Sequence, residues 1–418
     1  MSTERAGGMA LLVAALLALG WANSPWAESY EQVWHTRLAF QLGPWSLGAD
    51  LRHWINDGLM TIFFLVVGLE IKRELVNGEL RERRKAALPV VGAVGGMVLP
   101  AVLYALFTAG TPGLRGWGIP MATDIAFAVG VLALMGSRVP TSLRLFLLAL
   151  AIVDDIGAIA VIAAFYSGRV SFPALAAAAA LLLLMTALQK KHIRSNVIYV
   201  LLGLGVWLAI ATSGVHPAIA GVALGLITPT VQFQRPRAVS EEAHRIADET
   251  VDDPVPPDAD AHLWQRLAEL SRQTVPPLTR LEDMLHPFTS FGVMPLFALA
   301  NAGVTLEGTS IAGTLSNPIS LGVIVGLVVG KTAGICLAAW IGTKLGLASL
   351  PEGVTWRQML AVASLGGIGF TVSLFIAALA FEDPASLASA KVGILAGSAL
   401  AGCLGAGLLF RLSHAKTP

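Results

Sequence analysis

The chain has few charged residues and almost no cysteine. Of its 418 residues only 13% are Asp, Glu, Lys or Arg, and only two are cysteines. Cys336 and Cys403 lie within apolar runs, and no Cys and His cluster has metal-ligand spacing, so both are expected to be packing residues. The lack of a glycine-rich phosphate loop argues against a pump driven by ATP. A net charge of +1, without a basic surface interleaved with aromatic residues, argues against nucleic-acid binding.

Long apolar runs dominate what remains. Hydrophobic residues make up 55% of the chain, and the mean hydropathy is +0.70. This composition leaves too little polar surface for a soluble domain, and the apolar runs have the length of transmembrane helices. Runs of Ala, Leu, Val and Gly favour helices over barrel strands, because a helix satisfies its own backbone polar groups. The sequence therefore predicts a single integral membrane domain over 1–418, an all-α polytopic bundle.

About twelve transmembrane helices are predicted, with boundaries good to a few residues. They cover 9–24, 52–77, 87–108, 117–136, 143–166, 172–189, 196–211, 215–229, 287–305, 319–343, 357–380 and 388–411. The first run is also compatible with a cleaved signal peptide, since Arg5 precedes it and a candidate cleavage stretch follows at 21–23. A retained first span is preferred because it gives a consistent distribution of charge among the loops.

The distribution of Lys and Arg predicts the orientation. Under twelve spans, the loops on the side of the amino terminus hold 22 of the 28 basic residues, including six at 72–85 and six in the loop 230–286. Five lie on the other side, and Lys331 lies inside a span. Because loops rich in Lys and Arg remain in the cytoplasm, both termini are predicted to be cytoplasmic, with the chain in the inner cell membrane.

Two adjacent aspartates, Asp154 and Asp155, interrupt the apolar stretch between Arg144 and Arg169 near its middle. A carboxylate at such a depth costs at least ~2.5–3.5 kcal/mol on insertion scales, so intramembrane acids are functional candidates by default. Neighbouring helical positions point about 100° apart, which lets one carboxylate face a partner and the other a cavity. The pair predicts a site for cations or protons.

Two spans contain residues that a continuous helix tolerates poorly. Span four carries Pro120 and Asp124 in GIPMATDIAFAVG, and span eleven carries three glycines at 366–369 in ASLGGIGFTVS. Such residues interrupt helices, and paired interruptions in the two halves of a chain mark a transport site near the midplane. The alternative is that these glycines only allow close packing of helices.

Lys331 lies roughly midway along span ten, in VIVGLVVGKTAGICLAAW. It is too deep to reach the surface comfortably and should pair with an anion, for which Asp154 and Asp155 are the candidates. A purely structural ion pair and a pair whose protonation changes during transport both remain open.

Seven segments resemble the NhaA-type sodium/proton antiporters in order and spacing: LEIKREL, IPMATDIAFAVGVLALMGSRVP, LALAIVDDIGAI, SGVHPAIAG, PLFALANAGV, GKTAGI and GGIGFTVSLFIA. The resemblance runs from about residue 51 to the carboxyl terminus, apart from the loop 230–286. That family is itself an example of transporters built from inverted repeats, with the interrupted helices, here spans four and eleven, crossing near the midplane. The resemblance implies a secondary transporter rather than an enzyme. It would exchange cytoplasmic Na⁺ or Li⁺ for external H⁺, be electrogenic and pH-regulated, and need no cofactor.

The resemblance also implies roles for individual residues. Asp155 is similar to the main cation-binding carboxylate, and Asp154, beside it in the Na⁺ site, is similar to the partner of Lys331. Thr123 and Asp124 would lie where the interrupted helices cross, with Asp124 and Lys331 compensating the helix dipoles. Na⁺ and Li⁺ are hard cations that prefer oxygen ligands, and a buried carboxylate also binds protons avidly. Competition between H⁺ and Na⁺ for one site would therefore produce exchange.

A second group of charged residues is predicted toward the cytoplasm. It contains Asp57, Glu70, Arg73, Glu74, Glu282 and His286. From the residues alone this is a solvated helix end, whereas the resemblance implies a pH-sensing entrance and extends a pH role to His216. A satisfied core histidine is the alternative for His216. Asp283 stands where the family often has a histidine, so a shifted pH profile is expected.

Two further segments are predicted outside the bundle. The stretch 36–50 alternates around a Gly43–Pro44 turn and predicts an extracytoplasmic β-hairpin. Family members use such a hairpin in dimer contacts, so a homodimer is expected, with an ordinary loop as the alternative.

The cytoplasmic loop 230–286 contains the acidic stretch DETVDDPVPPDAD and an amphipathic turn at Leu263, Leu267 and Leu270. Regulation, partner binding and disorder all remain open for this loop.

Two other functional classes also place acids inside a membrane. An intramembrane aspartyl protease needs two carboxylates from different helices that share a proton, whereas Asp154 and Asp155 are adjacent on one helix. A sodium-coupled symporter of organic solutes needs additional polar groups for its substrate, and the residues around the aspartates are mainly small and aliphatic. The antiporter interpretation fits the residues better than either alternative.

Overall fold

The structure is a computed structural model that describes residues 2–42, 45–135, 139–191, 193, 195–232, 237, 239–245, 257–305 and 311–414. Within these ranges it is almost entirely helical, and its described strands form one two-stranded sheet. Seven described helices are long and apolar enough to cross a membrane, and up to ten spans result if each bent pair of helices is one span. The predicted all-α membrane fold is confirmed. The count of twelve spans stays a prediction.

The amino-terminal half ends with α9. Its elements are α1 (Ser2–Ala22), α2 (Ala27–Trp34), β1 (Arg37–Leu42), β2 (Trp45–Asp50), α3 (Leu51–Asn77), α4 (Arg83–Thr108), a 3₁₀ segment (Pro112–Met121), α5 (Ile125–Leu134), α6 (Thr141–Phe165), α7 (Phe172–Lys190), α8 (Asn196–Ser213) and α9 (Ala218–Ile227).

The carboxyl-terminal half carries the second interrupted helix. Its elements are α10 (Pro257–Thr274), α11 (Pro277–Phe288), α12 (Met294–Asn301), α13 (Ile311–Leu315), α14 (Pro318–Lys344), α15 (Trp356–Leu365), α16 (Phe370–Ala380) and α17 (Pro384–His414).

Two predicted spans differ from the helices in the structure. The eighth is represented by α9, which has only 10 residues. The helix that carries the ninth span begins about ten residues before the span itself, because the polar α11 continues through a π-helical turn at Thr289–Val293 into α12. An internal Pro287 and a polar first half hid that continuity from the hydropathy pattern.

Both predicted helix interruptions are present. The 3₁₀ segment and α5 meet at an angle of 44°, and α15 and α16 meet at 48°. Each break spans only a few residues, at Ala122–Asp124 and at Gly366–Gly369. The breaks therefore place non-helical backbone inside the bundle, where its polar groups require partners.

π-Helical turns occur at two further places, inside α3 at Ile55–Leu59 and inside α14 at Gly326–Gly330. A π turn inserts one extra residue and rotates the side chains that follow. The first contains Asp57, and the second ends immediately before Lys331. No feature of the hydrophobic pattern predicted either turn.

Glycines bring two pairs of helices into close contact. A Cβ atom on Gly95 of α4 would lie 2.3 Å from the Gly334 carbonyl oxygen of α14, and one on Gly334 would lie 2.2 Å from the Gly95 oxygen. Gly221 of α9 likewise approaches the Thr61 carbonyl of α3, at 2.1 Å from its missing Cβ. These contacts fix the positions of α3 and α14, which carry several of the candidate residues.

Outside the bundle, β1 and β2 pair antiparallel, with Arg37 opposite Asp50 and Leu42 opposite Trp45. The predicted Gly43–Pro44 turn lies outside the described residues.

In the loop 230–286, the predicted amphipathic turn is part of α10, whereas residues 248–256 of the acidic stretch lie outside the described residues. The Leu278 amide donates to the Pro229 carbonyl at 3.2 Å, so the two ends of this loop meet.

Candidate ion-binding site

The two interrupted helices are joined to each other at their breaks. The Asp124 amide donates to the Ile368 carbonyl at 2.6 Å. The Thr123 hydroxyl lies 2.8 Å from the Gly366 carbonyl, which the break leaves without a helical partner. The breaks satisfy each other's backbone groups, which explains how irregular backbone persists inside an apolar bundle.

Asp124 caps both short helices that begin at this crossing. Its Oδ1 accepts from the Phe127 amide of α5 at 3.0 Å, and its Oδ2 accepts from the Thr371 amide of α16 at 3.1 Å and from the Thr371 hydroxyl at 2.6 Å. The residue is 1% exposed. A carboxylate here faces the positive ends of two helix dipoles, so its charge is matched by backbone donors.

Two serines complete the capping, and sequence reasoning missed both. The Ser398 hydroxyl of α17 accepts from the Gly369 amide at 3.3 Å and the Phe370 amide at 3.1 Å. The Ser373 hydroxyl donates to the Ile119 carbonyl at 2.7 Å, at the end of the 3₁₀ segment. A serine within an otherwise apolar run is the available signal, but only the three-dimensional arrangement shows what it bonds.

Asp154 and Lys331 form a buried ion pair. Both side chains are fully buried, and the Thr123 hydroxyl lies 2.7 Å from the same Asp154 oxygen, Oδ2. Asp154 Oδ1 is buried and has no hydrogen-bond partner among the described residues. Of the two candidates for pairing with Lys331, the structure selects Asp154.

Asp155 has different surroundings. It lines a cavity of 330 Å³ together with Thr123, Asp124 and Thr371, and it makes no hydrogen bond to the residues described here. The side chain is 4% exposed. One turn of helix therefore holds one carboxylate against a lysine and leaves its neighbour open to the cavity.

The same cavity extends to a charged mouth. Its lining there includes Glu70, Arg73, Glu282, Asp283 and His286. Arg73 forms an ion pair with the buried Glu282 and lies 3.9 Å from Glu74. Burial raises the pKa of Glu282 above the usual range of a glutamate, although the Arg73 guanidinium lowers it. Apart from Asp57, the predicted second group thus meets as one cluster, connected by the cavity to Asp155.

The prediction was wrong for Asp57, and the structure separates His216 from the same mouth. Asp57 lies 13 positions before Glu70 along α3, roughly 20 Å away at the helical rise. Its Oδ2 is 3.2 Å from His53 Nε2, and its Oδ1 is 3.6 Å from His216 Nε2. Asp57 and Glu70 lie on one helix but near its opposite ends. Their closeness in the sequence had suggested a single group.

The oxygen atoms around the cavity are of the kind that bind small hard cations and protons. Asp155, the free Oδ1 of Asp154 and the Thr123 hydroxyl supply oxygen atoms near the cavity. Alkali cations prefer such oxygen ligands, and carboxylates with little solvation bind protons strongly. Within the described residues no group of three or more His, Cys, Asp and Glu side chains is arranged to hold a metal ion.

Comparison with known proteins agrees with this geometry. The family model described as Na⁺/H⁺ antiporter 1 matches residues 1–409. The chain is 48% identical to Na(+)/H(+) antiporter NhaA 2 of Sorangium cellulosum, over 95% of this chain and 86% of that protein. It is 45% identical to Na(+)/H(+) antiporter NhaA of Janthinobacterium sp. (strain Marseille), over 99% and 92%.

A solved structure supports the fold independently. The sodium proton antiporter MjNhaP1 from Methanocaldococcus jannaschii superposes with a TM-score of 0.52, covering 96% of this chain and 92% of that one, at 13% identity. At such low identity the likeness concerns the fold alone. With a family match over nearly the whole sequence and close relatives of similar length, the chain belongs to the Na⁺/H⁺ antiporter 1 family.

Proposed function

We propose that the protein exchanges cytoplasmic Na⁺ or Li⁺ for external H⁺ and that Asp155 is the carboxylate for which these ions compete. One observation carries the proposal: Asp154 is bonded to Lys331, whereas the adjacent Asp155 opens onto the cavity. A cation that enters from the charged mouth meets Asp155 first, with Asp154 Oδ1 and Thr123 close behind.

Lys331 makes the site sensitive to the charge of its occupant. A sodium ion drawn to both aspartates competes with the ammonium group for Asp154 Oδ2. Sodium binding therefore favours loss of a proton from Lys331 or from the aspartates, and sodium release favours its return. The titration belongs to the three groups together rather than to one residue. Two protons per sodium would make the exchange electrogenic.

The conformational change that opens the site to one face of the membrane and then to the other would occur where the two interrupted helices cross. Asp124, Thr371, Ser373 and Ser398 hold the short helices by a limited number of polar contacts. Such breaks act as hinges because few backbone hydrogen bonds cross them. The empty, fully charged site is costly to move through an apolar bundle, which couples the two ion movements.

The orientation and assembly follow from charge and from the hairpin. The excess of Lys and Arg on one side supports cytoplasmic termini in the inner membrane. The cavity mouth at Glu70 and Glu282 then faces the cytoplasm, and the hairpin β1–β2 lies outside. We assign the mouth a pH-sensing role, with Glu70, Arg73, Glu74, Glu282 and His286 as its residues. Pairing of hairpins from two copies would give a homodimer.

Exchange is tested in everted membrane vesicles with a preformed, acid-inside pH gradient. Addition of Na⁺ or Li⁺ should collapse the gradient in vesicles that contain the wild-type protein. Asp155→Asn keeps the shape of the side chain but removes its charge, and it should abolish the response.

Asp283→Asn is the matched control, because Asp283 lines the same cavity at its mouth without contacting the Asp154–Lys331 pair. It should retain most of the response. Full sodium-dependent exchange by Asp155→Asn would refute the assignment of Asp155. Sodium-driven uptake of a labelled organic anion would instead favour a symporter, and cleavage of peptides by the purified protein would favour a protease.

A further inference from the structure

The first helix, α1, has two faces of opposite character. Along one face the side chains are at most 3% exposed: Leu11, Ala15, Ala18 and Ala22. The other face carries large apolar side chains that are 43–62% exposed: Met9, Leu12, Val13, Leu16 and Leu17. Small residues let membrane helices approach each other closely, whereas large apolar side chains are at home among lipid tails. One face of α1 therefore packs on the bundle, and the other faces lipid.

The packed face of α1 begins at the cavity that contains Asp155. Gly7, Gly8 and Leu11 line this cavity together with Asp155 and with the acids of its charged mouth. No role in ion exchange follows for α1 from the aspartates or from the interrupted helices. Its place in the cavity wall is therefore a separate observation.

Two close contacts define where the start of α1 lies. A Cβ atom on Gly7 would lie 3.1 Å from Ser290 Cβ, in the π turn Thr289–Val293. A Cβ atom on Gly8 would lie 3.7 Å from the Ala126 carbonyl oxygen of α5. Ser290 and Ala126 both line the cavity as well. The start of α1 thus fills the space between α5 and the π turn that follows α11.

The carboxylates of the cavity need such a wall. Asp124, Asp155 and Glu282 are among its lining residues, and carboxylates are costly where they meet lipid tails. Without α1, the space between α5 and the π turn would open the cavity sideways to the bilayer. The lipid-facing side chains of α1 and its small inner residues are the two surfaces that a partition between lipid and water requires.

The two glycines keep the space beside this wall free of side chains, since glycine has no Cβ. At Gly7 even a methyl group would press on Ser290, because two side-chain carbons rarely approach to 3.1 Å. At Gly8 an added Cβ meets ordinary contacts only. A longer side chain at Gly8 would therefore occupy space at the mouth rather than displace α1.

We propose that α1 is the lateral wall of the cation entrance and that the lack of side chains at Gly7 and Gly8 sets the width of the passage to Asp155. The first helix then belongs to the working transporter, which does not fit the alternative of a cleaved signal peptide. The proposal rests on the proposed exchange function, because it concerns the route by which cations reach Asp155.

Cysteine labelling tests the wall in a protein whose Cys336 and Cys403 are replaced by serine. Gly8→Cys and Met9→Cys are treated in everted vesicles with a membrane-impermeant methanethiosulfonate that carries a trimethylammonium group. The thiolate is the reacting form, and it forms in water rather than in lipid. Gly8→Cys should react and lose most of the exchange that it showed before treatment. Met9→Cys is the matched control one residue away, is 62% exposed on the lipid face, and should neither react nor change.

The width of the passage is tested at Gly8→Cys with two uncharged reagents, methyl and benzyl methanethiosulfonate. The benzyl group takes up more space at the same sulfur, so it should inhibit exchange much more than the methyl group does. Equal inhibition by both reagents would overturn the assignment of width to this position.

Leu11→Cys, one turn further along the same face, keeps the test of the wall informative if Gly8→Cys does not fold. Lys85→Cys, at a side chain that is 54% exposed, shows that the reagent reaches the cytoplasmic side. Reaction of Lys85→Cys but of neither Gly8→Cys nor Leu11→Cys would overturn the proposal, as would equally fast reaction of Met9→Cys. Absence of sodium-dependent exchange by the wild type would instead refute the exchange function, while the labelling pattern would still decide whether α1 lines the cavity.

Discussion

At the scale of single residues, Asp154 and Asp155 show how position on a helix decides chemistry. Sequence reasoning recognised that both acids lie in the membrane and that adjacent side chains diverge. The residues alone left open which of them pairs with Lys331, because that choice depends on how α6 is rotated against α14, whereas the family resemblance implied Asp154. The structure selects Asp154 and gives Asp155 to the cavity.

The Asp154–Lys331 pair makes a prediction about stability. Lys331→Met or Asp154→Asn alone leaves the other member of the pair buried without its partner charge, and should lower the free energy of unfolding by ~3–5 kcal/mol. The double variant removes both charges and should recover a large part of that loss. The wild type, the two single variants and the double variant are purified in one detergent. Their thermal unfolding gives the coupling energy between Asp154 and Lys331.

Additive effects in this cycle would contradict a direct pair, since independent sites add. The double variant should remain inactive in exchange even where its stability recovers. That separation of stability from transport would distinguish a transport role of the pair from a purely structural one.

Glu282 makes a prediction about pH. Burial raises its pKa in the folded protein above the unfolded value, so the folded state binds more protons over that window. The protein then loses stability as pH rises from the unfolded pKa through the raised folded pKa. Glu282→Gln cannot titrate at this position, so its melting temperature should rise relative to that of the wild type as pH increases across this window.

The exposed Glu352→Gln serves as the control and should follow the wild type at every pH. A melting-temperature difference for Glu282→Gln with the opposite slope would mean that the Arg73 ion pair outweighs burial. A flat difference would remove Glu282 as a titrating group at the mouth.

At the scale of elements, the interruptions could be predicted but their partners could not. Pro120 and the glycines at 366–369 marked the two breaks, because a helix tolerates such residues poorly. The caps from Ser373 and Ser398, and the π turns before Lys331 and around Asp57, depend on contacts far apart in sequence. The misplacement of Asp57 has the same cause, since charges along one long helix were grouped without regard to its length.

The contact between α4 and α14 predicts an effect of a single methyl group. In Gly95→Ala the new Cβ would meet the Gly334 carbonyl oxygen at 2.3 Å, so the helices must separate. We expect a loss of ~1–3 kcal/mol in stability and reduced exchange, because Lys331 lies one turn before Gly334 on α14 and moves with it.

Gly407→Ala on α17 is the matched change, since nothing lies within 4 Å of its added Cβ. Alanine there should be neutral or slightly stabilising because it favours the helix. Equal melting temperatures for Gly95→Ala and the wild type would show that α4 and α14 are not held in close contact.

At the scale of the whole molecule, the direction of transport depends on which end of the bundle faces the cytoplasm. Helix lengths and composition establish that the chain crosses a membrane several times, but only the distribution of Lys and Arg gives the orientation. The cavity opens at the end that carries most of this positive charge, beside Arg73 and the loop that follows α3. The position of the cavity mouth and the distribution of charge therefore predict the same orientation in the membrane. This orientation can be measured by labelling exposed residues from either side of the membrane.

That prediction is tested by labelling single cysteines with a membrane-impermeant maleimide, after Cys336 and Cys403 are replaced by serine. Lys85 and Arg169 are exposed; Lys85 lies in the first turn of α4, and Arg169 follows α6, with the interrupted pair between these two helices. If the 3₁₀ segment and α5 together cross the membrane once, three crossings separate the two positions. Lys85→Cys should then react only in everted vesicles and Arg169→Cys only in right-side-out vesicles. The reversed pattern would invert the orientation and the proposed direction of exchange. Reaction of both positions from one side would mean an even number of crossings, so that the interrupted pair enters and leaves on the same face, which the proposed crossing near the midplane does not allow.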